Sequence, residues 1–204
     1  MWLEFFKATA VENVANFADK LTFEYFDKAI SIIDEAMAAG NRVHVTGIGK
    51  PGHVASYAAS LLSSTGTPST FLHGTEAVHG SCGQLVAGDV VICISNSGET
   101  EELKCTVEAI KNYGCKVIGL SGGEGSWLDR NSDVCLIAKV KEEGGPLNRA
   151  PMSSVLVECM AIQGLAVMLE TQCGLTVKDY IKRHPGGKLG QLRKDETGDE
   201  PANA

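Results

Sequence analysis

The sequence predicts a three-layer α/β domain with a parallel sheet covered by helices on both faces. Two observations carry that expectation. Short apolar runs alternate with helical stretches from about residue 40 onward. Several of the runs are apolar at every position, as in Val90-Val91-Ile92-Cys93-Ile94, rather than alternating with polar residues. A strand buried on both faces reads that way, and strand–helix alternation builds parallel sheets.

Taken in order, residues 1–39 read as a helical N-terminal extension. Phe5, Phe6, Ala10, Val14, Phe17 and Leu21 recur near a 3.6-residue period, and a second helix over 23–39 stops at Gly40. Strands are expected at 42–46, 69–73, 90–95, 116–121 and 134–138. Helices are expected at 52–65, 99–113 and 126–131, then a long apolar one at 152–172 and a shorter one at 176–183. Residues 40–193 form the expected domain, and 194–204 read as a flexible polar tail. In folds of this kind ligands sit beyond the carboxyl ends of the strands.

Bulk composition excludes several roles. The formal net charge of −7 and the scattered cations argue against nucleic-acid binding. The N-terminus lacks the features of a secretory signal. The most apolar long segment, 155–169, is interrupted by Glu158 and Gln163, so a buried helix is expected rather than a membrane span. Seven cysteines, none in a C-x-x-C pair, predict reduced thiols and a cytoplasmic protein. Cys82 stands apart because it sits in a polar loop.

Four loops carry chemistry. Gly47-Ile48-Gly49-Lys50-Pro51-Gly52 matches G-x-G-x-x-G, the dinucleotide fingerprint. The acid that fingerprint requires at the end of the next strand is missing; that strand ends Phe71-Leu72-His73, and Glu76 comes three residues late. The loop therefore reads as a turn that brings Gly49, Lys50 and backbone amides to a small anion.

Ser95-Asn96-Ser97-Gly98-Glu99-Thr100 is the second loop. Hydroxyls of Ser95, Ser97 and Thr100, with Asn96, surround a helix N-terminus whose amides are unpaired, and Gly98 permits close approach of a ligand. This predicts a phosphate cradle. A capping box of Asn96 with Glu99 is the plainer alternative. Glu102, four residues past Gly98, is free to turn toward the rest of a ligand whose phosphate sits in that cradle.

The third loop runs from residue 73 to 83. Glu76 and His79 are spaced to share a face of one helical turn, which suits an acid/base or metal pair. The fourth is 184–190, where Pro185 and the glycines after it put His184 at a helix boundary.

These loops, in this order, resemble the sugar isomerase (SIS) domain family, and most closely its arabinose-5-phosphate isomerases. "GIGKPGH", "EAVHGSCG", "SNSGETEE", "EEGGPLNRAP" and "RHPGGKLG" carry the likeness over roughly residues 40–192. The resemblance implies an SIS-type, Rossmann-like five-stranded parallel sheet and usually a homotetramer. It also implies reversible conversion of ribulose 5-phosphate to arabinose 5-phosphate, with no cofactor required. By the same resemblance Ser95, Ser97 and Thr100 hold the phosphate, and Lys50, Glu102, Glu143 and His184 surround the sugar. His79 matches a histidine that binds zinc in some members.

That chemistry needs a base near carbon, a proton shuttle and a cation for the developing oxyanion, which a carboxylate, His184 and Lys50 supply. Departures from the family pattern fall at Ser81, Cys82, Asn148, Arg149 and Met152. Arg149 puts a cation where the family is apolar, so a second acidic group on the ligand is one reading. On this reading the family's common pair of C-terminal CBS domains is expected to be absent. Two other readings stand beside the pentose isomerase: an isomerase of another sugar phosphate such as a hexulose 6-phosphate, and a non-catalytic sensor of sugar phosphates or sugar nucleotides.

Overall fold

A computed structural model describes residues 1–199. Five strands, β1 (Val43–Gly47), β2 (Ser69–Phe71), β3 (Val90–Ile94), β4 (Lys116–Ser121) and β5 (Val134–Ile137), form one parallel sheet in the order β2-β1-β3-β4-β5. The helices are α1 (Trp2–Ala18), α2 (Phe23–Ala38), α3 (Lys50–Ser64), α4 (Gly74–Ala77), α5 (Glu101–Asn112), α6 (Trp127–Asn131), α7 (Ser153–Cys173) and α8 (Val177–Arg183). The expected α/β class and parallel sheet are what the chain forms.

The apolar runs divide between two faces because side chains alternate along a strand. Val90, Ile92 and Ile94 join Val43, Val45, Ile118 and Leu120 in a core under α2, α3 and α7. Val91, Cys93 and Val117 point the other way, against Leu103, Ile110 and Leu128 of α5 and α6. Residues read as an extension share this packing: Phe17 of α1 and Phe26, Ile30 and Ile33 of α2 belong to the first core.

The buried stripe of α1 differs from the expected one. Thr9, Asn13 and Phe17 face inward, while Phe5 is 40% exposed. The reason is polar: the Asn13 amide donates to the Glu142 carbonyl at 2.9 Å and accepts from the Lys141 N–H at 2.9 Å. A hydrophobicity pattern does not register a buried asparagine whose hydrogen bonds are satisfied by a distant loop.

At the amino edge of the sheet His44 is buried between Asp89 Oδ2 (3.0 Å) and the Thr70 hydroxyl (2.7 Å). Burial alone would raise the Asp89 carboxyl. Donors on Val86, Arg42, His44 and Asn41 outweigh it and hold the group below its ordinary value.

α7 is long and apolar enough to cross a membrane by composition. Here it packs against α1 and α3, with Val157, Ala161 and Leu165 buried. Residues 194–199, expected as a tail, include a return contact in which the Lys178 N–H donates to the Gly198 carbonyl at 3.1 Å. Residues 200–204 lie outside the described residues.

Candidate active site

Strand order reverses between β1 and β3, and Gly47 pairs with Ile94 at their carboxyl ends. The two loops that follow them therefore emerge side by side at the crevice where open α/β sheets bind ligands.

Packing dictates the first loop. A Cβ on Gly47 would lie 2.8 Å from the Pro51 carbonyl carbon, and one on Gly52 would lie 2.8 Å from the Gly47 oxygen. Only glycine at both positions lets α3 start directly on the strand. Gly49, at φ +66°, makes the turn. Pro51 sits in the first turn of α3, where a missing N–H costs nothing, so the helix begins two residues earlier than expected. Lys50 is its first residue, exposed at the crevice.

The second loop is a set of interlocked hydroxyls. Ser95 is buried; its Oγ accepts from the Gly98 N–H at 3.2 Å and shares a hydrogen bond with Thr100 Oγ1 at 3.2 Å. Ser97 Oγ accepts from the Glu99 N–H at 3.2 Å, which leaves its own proton to donate outward. Gly98 has φ +65° and any Cβ there would overlap Ser126 Oγ. The Asn96 carbonyl accepts from the Gly122 N–H at 2.9 Å and ties the loop to the end of β4.

Thr100 is the N-cap of α5 but its side chain caps no amide, so the capping box of Asn96 with Glu99 does not form. Among the described residues the N–H groups of Glu101 and Glu102 have no protein acceptor. Hydroxyl protons, open amides and the positive end of α5 converge on one spot, which is what a phosphate requires.

Two of the neighbouring acids, Glu99 and Glu101, are engaged elsewhere. Glu99 accepts from the Trp127 N–H at 2.7 Å and pairs with Lys104 at 2.9 Å. The Lys104 hydrogen bond, then that of Trp127, holds its carboxyl below the ordinary value. Glu101 also pairs with Lys104 at 2.9 Å. Glu102 is exposed and, among the described residues, makes no ion pair.

Glu143 lies beyond β5 and is 8% exposed. Its Oε2 accepts from the Met152 N–H at 2.7 Å and from the Ser154 N–H at 3.0 Å, so it caps α7. The loop between them is held by Asn148, whose Oδ1 accepts from the Glu143 N–H at 2.6 Å and whose φ is +47°. This segment carries the chain from the β5 edge back to α3. Lys50, Arg149 and Met152 thereby line one cavity of about 650 Å³.

Glu76 and His79 are both exposed, joined through the His79 N–H to the Glu76 carbonyl at 3.0 Å. α4 ends at Ala77, so the helical turn expected to align their side chains is cut short. Among the described residues no three His, Cys, Asp or Glu side chains gather as a metal site. His79 belongs to no such group. Cys82 is 4% exposed rather than loop-accessible, and burial pushes its thiol up, away from reactive thiolate.

Two histidines lie within the quoted loops but received no role of their own from the sequence. His53 and His73 line a second cavity of about 380 Å³ with Gly47, Gly49 and Thr75. His73 Nδ1 accepts from the Glu76 N–H at 3.4 Å, starting α4. Their signal was positional: one closes the first turn of α3, the other follows β2.

His184 is not brought to the crevice by its own chain. It ends α8, with Nδ1 2.8 Å from the Tyr180 carbonyl and its ring stacked on Tyr180 at 4.1 Å. α7 begins beside Lys50 and its 21 residues run about 32 Å. It ends with Cys173 against the Thr65 carbonyl, at the other end of α3. α8 and His184 follow from that far edge.

Parallel strands in this order, with a hydroxyl loop at the reversal point, define an open α/β domain of the class that takes ligands at its switch point. Residues 37–168 match the SIS domain, and the chain belongs to that family. It is 40% identical over 173 residues to the arabinose 5-phosphate isomerase KdsD of Pseudomonas aeruginosa, covering 85% of this chain and 53% of the relative. Identity to KdsD of Escherichia coli K12 is 39% over 184 residues, covering 87% and 56%. The chain thus spans about half the length of the curated relatives it matches. Among solved structures, the E. coli CFT073 protein c3406 in complex with arabinose 5-phosphate superposes with a TM-score of 0.83 at 33% identity, covering 90% of this chain and 95% of that one.

Proposed function

We propose that this chain is a phosphosugar aldose–ketose isomerase that interconverts D-ribulose 5-phosphate and D-arabinose 5-phosphate through an enediolate. The observation that carries the reading is the Ser95–Thr100 cradle set beside Lys50 at the β1/β3 crevice. Likeness to the KdsD relatives and to the arabinose 5-phosphate complex supports the choice of sugar. Asn96, Ser97, Gly98 and Thr100 hold the phosphate, and Gly49 lets the sugar approach the first turn of α3. Glu102, exposed in the first turn of α5 and making no ion pair among the described residues, removes the proton from the carbon beside the carbonyl and returns it to the neighbouring carbon. Lys50 stabilises the charge on the enediolate oxygen. Glu143 orients the loop that carries Arg149 rather than acting as the base, because Met152 and Ser154 occupy one of its oxygens.

His184 enters this scheme through a second copy of the chain, since its own chain places it at the far end of α7. We propose a cytoplasmic homotetramer. Leu156 and Val167 on α7 and Leu3 and Val11 on α1 are exposed apolar residues suited to such contacts.

Mixing purified protein with arabinose 5-phosphate and following ribulose 5-phosphate tests the reading. Turnover abolished by His184→Ala is the expected result; binding without turnover overturns it. Co-refolding inactive Lys50→Ala and His184→Ala chains restores part of the activity if the two residues act across copies.

A further inference from the structure

We propose that Thr70, His44 and Asp89 form a second reactive site, a hydroxyl–imidazole–carboxylate triad that cleaves small carboxylic esters at the end of the sheet opposite the β1/β3 crevice. Nothing in this rests on the isomerase reading. Three neighbouring strands bring the residues together. His44 is the register partner of Thr70 in the β1–β2 pair, and Asp89 immediately precedes β3. Thr70 Oγ1 lies 2.7 Å from His44 Nδ1, and His44 Nε2 lies 3.0 Å from Asp89 Oδ2. Such a set is recognised by geometry and roles, not by order along the chain. Packing alone does not call for it: the register partner of His44 on β3 is Val91, which is apolar and equally buried.

The surroundings assign the roles. Asp89 also accepts N–H groups from Arg42, Val86 and the Asn41 side chain, and its carboxyl is held below the ordinary value, so at neutral pH it only accepts. Nε2 of a neutral His44 therefore carries the ring proton, and Nδ1 offers a lone pair. Thr70 donates its hydroxyl proton to that lone pair. The ring is turned over relative to the serine-protease triad, with hydroxyl, base and carboxylate in the same sequence of contacts. Thr70 is where the set meets solvent: it is exposed on the edge strand and lines a cavity of about 480 Å³ with Arg42. Among the described residues Arg42 makes no ion pair, which leaves its guanidinium available to a developing oxyanion.

Thr70 Oγ attacks the ester carbonyl carbon as His44 Nδ1 takes its proton. The bond from that carbon to the alcohol oxygen then breaks, and the alcohol leaves with the proton from His44. Water attacks the acyl-Thr70 ester, His44 moves the water proton to Thr70 Oγ, and the acid is released.

Mixing the full chain with p-nitrophenyl acetate at neutral pH tests this, with p-nitrophenol release followed by absorbance and the acetyl group located by peptide mass spectrometry. Wild type is expected to release p-nitrophenol at least about 100-fold faster than Thr70→Val, the gain a positioned general base brings. Acetyl is expected on Thr70, and on the serine hydroxyl in an active Thr70→Ser variant. His44→Gln is expected to fall to the rate of Thr70→Val. Thermal unfolding checks each variant, and Thr70→Val, isosteric and at an exposed position, keeps the test decisive if His44→Gln does not fold. A wild-type rate equal to that of Thr70→Val, or acetyl confined to other residues, overturns the proposal.

Discussion

Glu143 Oε2 accepts the Met152 N–H at 2.7 Å, and through that bond one carboxylate joins the loop after β5 to the first turn of α7. Ser154 donates to the same oxygen, and Ser153 and Ser154 are both buried at the helix start. Replacing Glu143 by Ala leaves two amides without their acceptor. Each loss costs about 1–3 kcal/mol, so Glu143→Ala is expected to destabilise the fold by at least about 2 kcal/mol. Urea unfolding at neutral pH measures this. A variant as stable as wild type would mean water satisfies those amides and the cap is dispensable.

Ser97 is exposed and its Oγ already accepts the Glu99 N–H, so its proton faces outward. Removing a donor to a charged phosphate costs about 1.5–3 kcal/mol, which corresponds to roughly 10–100-fold in affinity. Ser97→Ala is expected to raise KM for the phosphosugar by that factor, with an unchanged circular dichroism spectrum. An unchanged KM would move the phosphate away from this loop.

Glu158, one turn past Ser154 on α7, is 2% exposed and among the described residues neither carboxyl oxygen has a partner. Burial, helped by the charge of Glu143, pushes its carboxyl up from 4.5 to about 7. Between those values the folded state keeps a proton that the unfolded chain has released. This group's contribution therefore falls as pH rises from 4.5 to 7 and is constant above. The full penalty is about 3 kcal/mol. Glu158→Gln is expected to be more stable than wild type at pH 8 and to lose that gain near pH 5. Parallel stability–pH curves for the two proteins would show that Glu158 is ionised and solvated in the fold.

Gly52 permits α3 to begin on β1, since a Cβ there would stand 2.8 Å from the Gly47 carbonyl oxygen. The obstacle is backbone on both sides, so it cannot yield as a side-chain tip does. Gly52→Ala is expected to cost about 1–3 kcal/mol, a fall of roughly 2–10 °C in Tm for a chain of this size, and to displace Lys50. Calorimetry gives the first effect, and a reduced kcat the second. An alanine variant with wild-type Tm would contradict the tight strand–helix start.

The fold was legible where local signals agree with burial. Fully apolar runs such as 90–94 became strands buried on both faces, and Gly40 closed α2 as its residue type predicts. Elements too short for a periodic pattern were not legible. α4 has four residues and takes His73 as its N-cap, and β2 ends at Phe71 rather than His73. The stripe of α1 was misread because Thr9 and Asn13 are polar yet buried.

The candidate site divides in the same way. Residues contiguous in one loop, such as Ser95 to Thr100, carry their geometry locally: the hydroxyls, the glycine turn and the helix start all lie within six positions. That much the sequence by itself determined, together with the family and the parallel sheet. Only the tertiary structure decided which distant residues share a surface. It set Arg149 in one cavity with Lys50, gave Glu143 to the amides of α7 and carried His184 to the opposite end of that helix. The physical reason is that a side chain's role depends on what its charge meets. For Arg149 and His184 that meeting is decided across a sheet width or a helix length, and for Glu143 by the fold of the loop that leads to Met152, none of which a local pattern records.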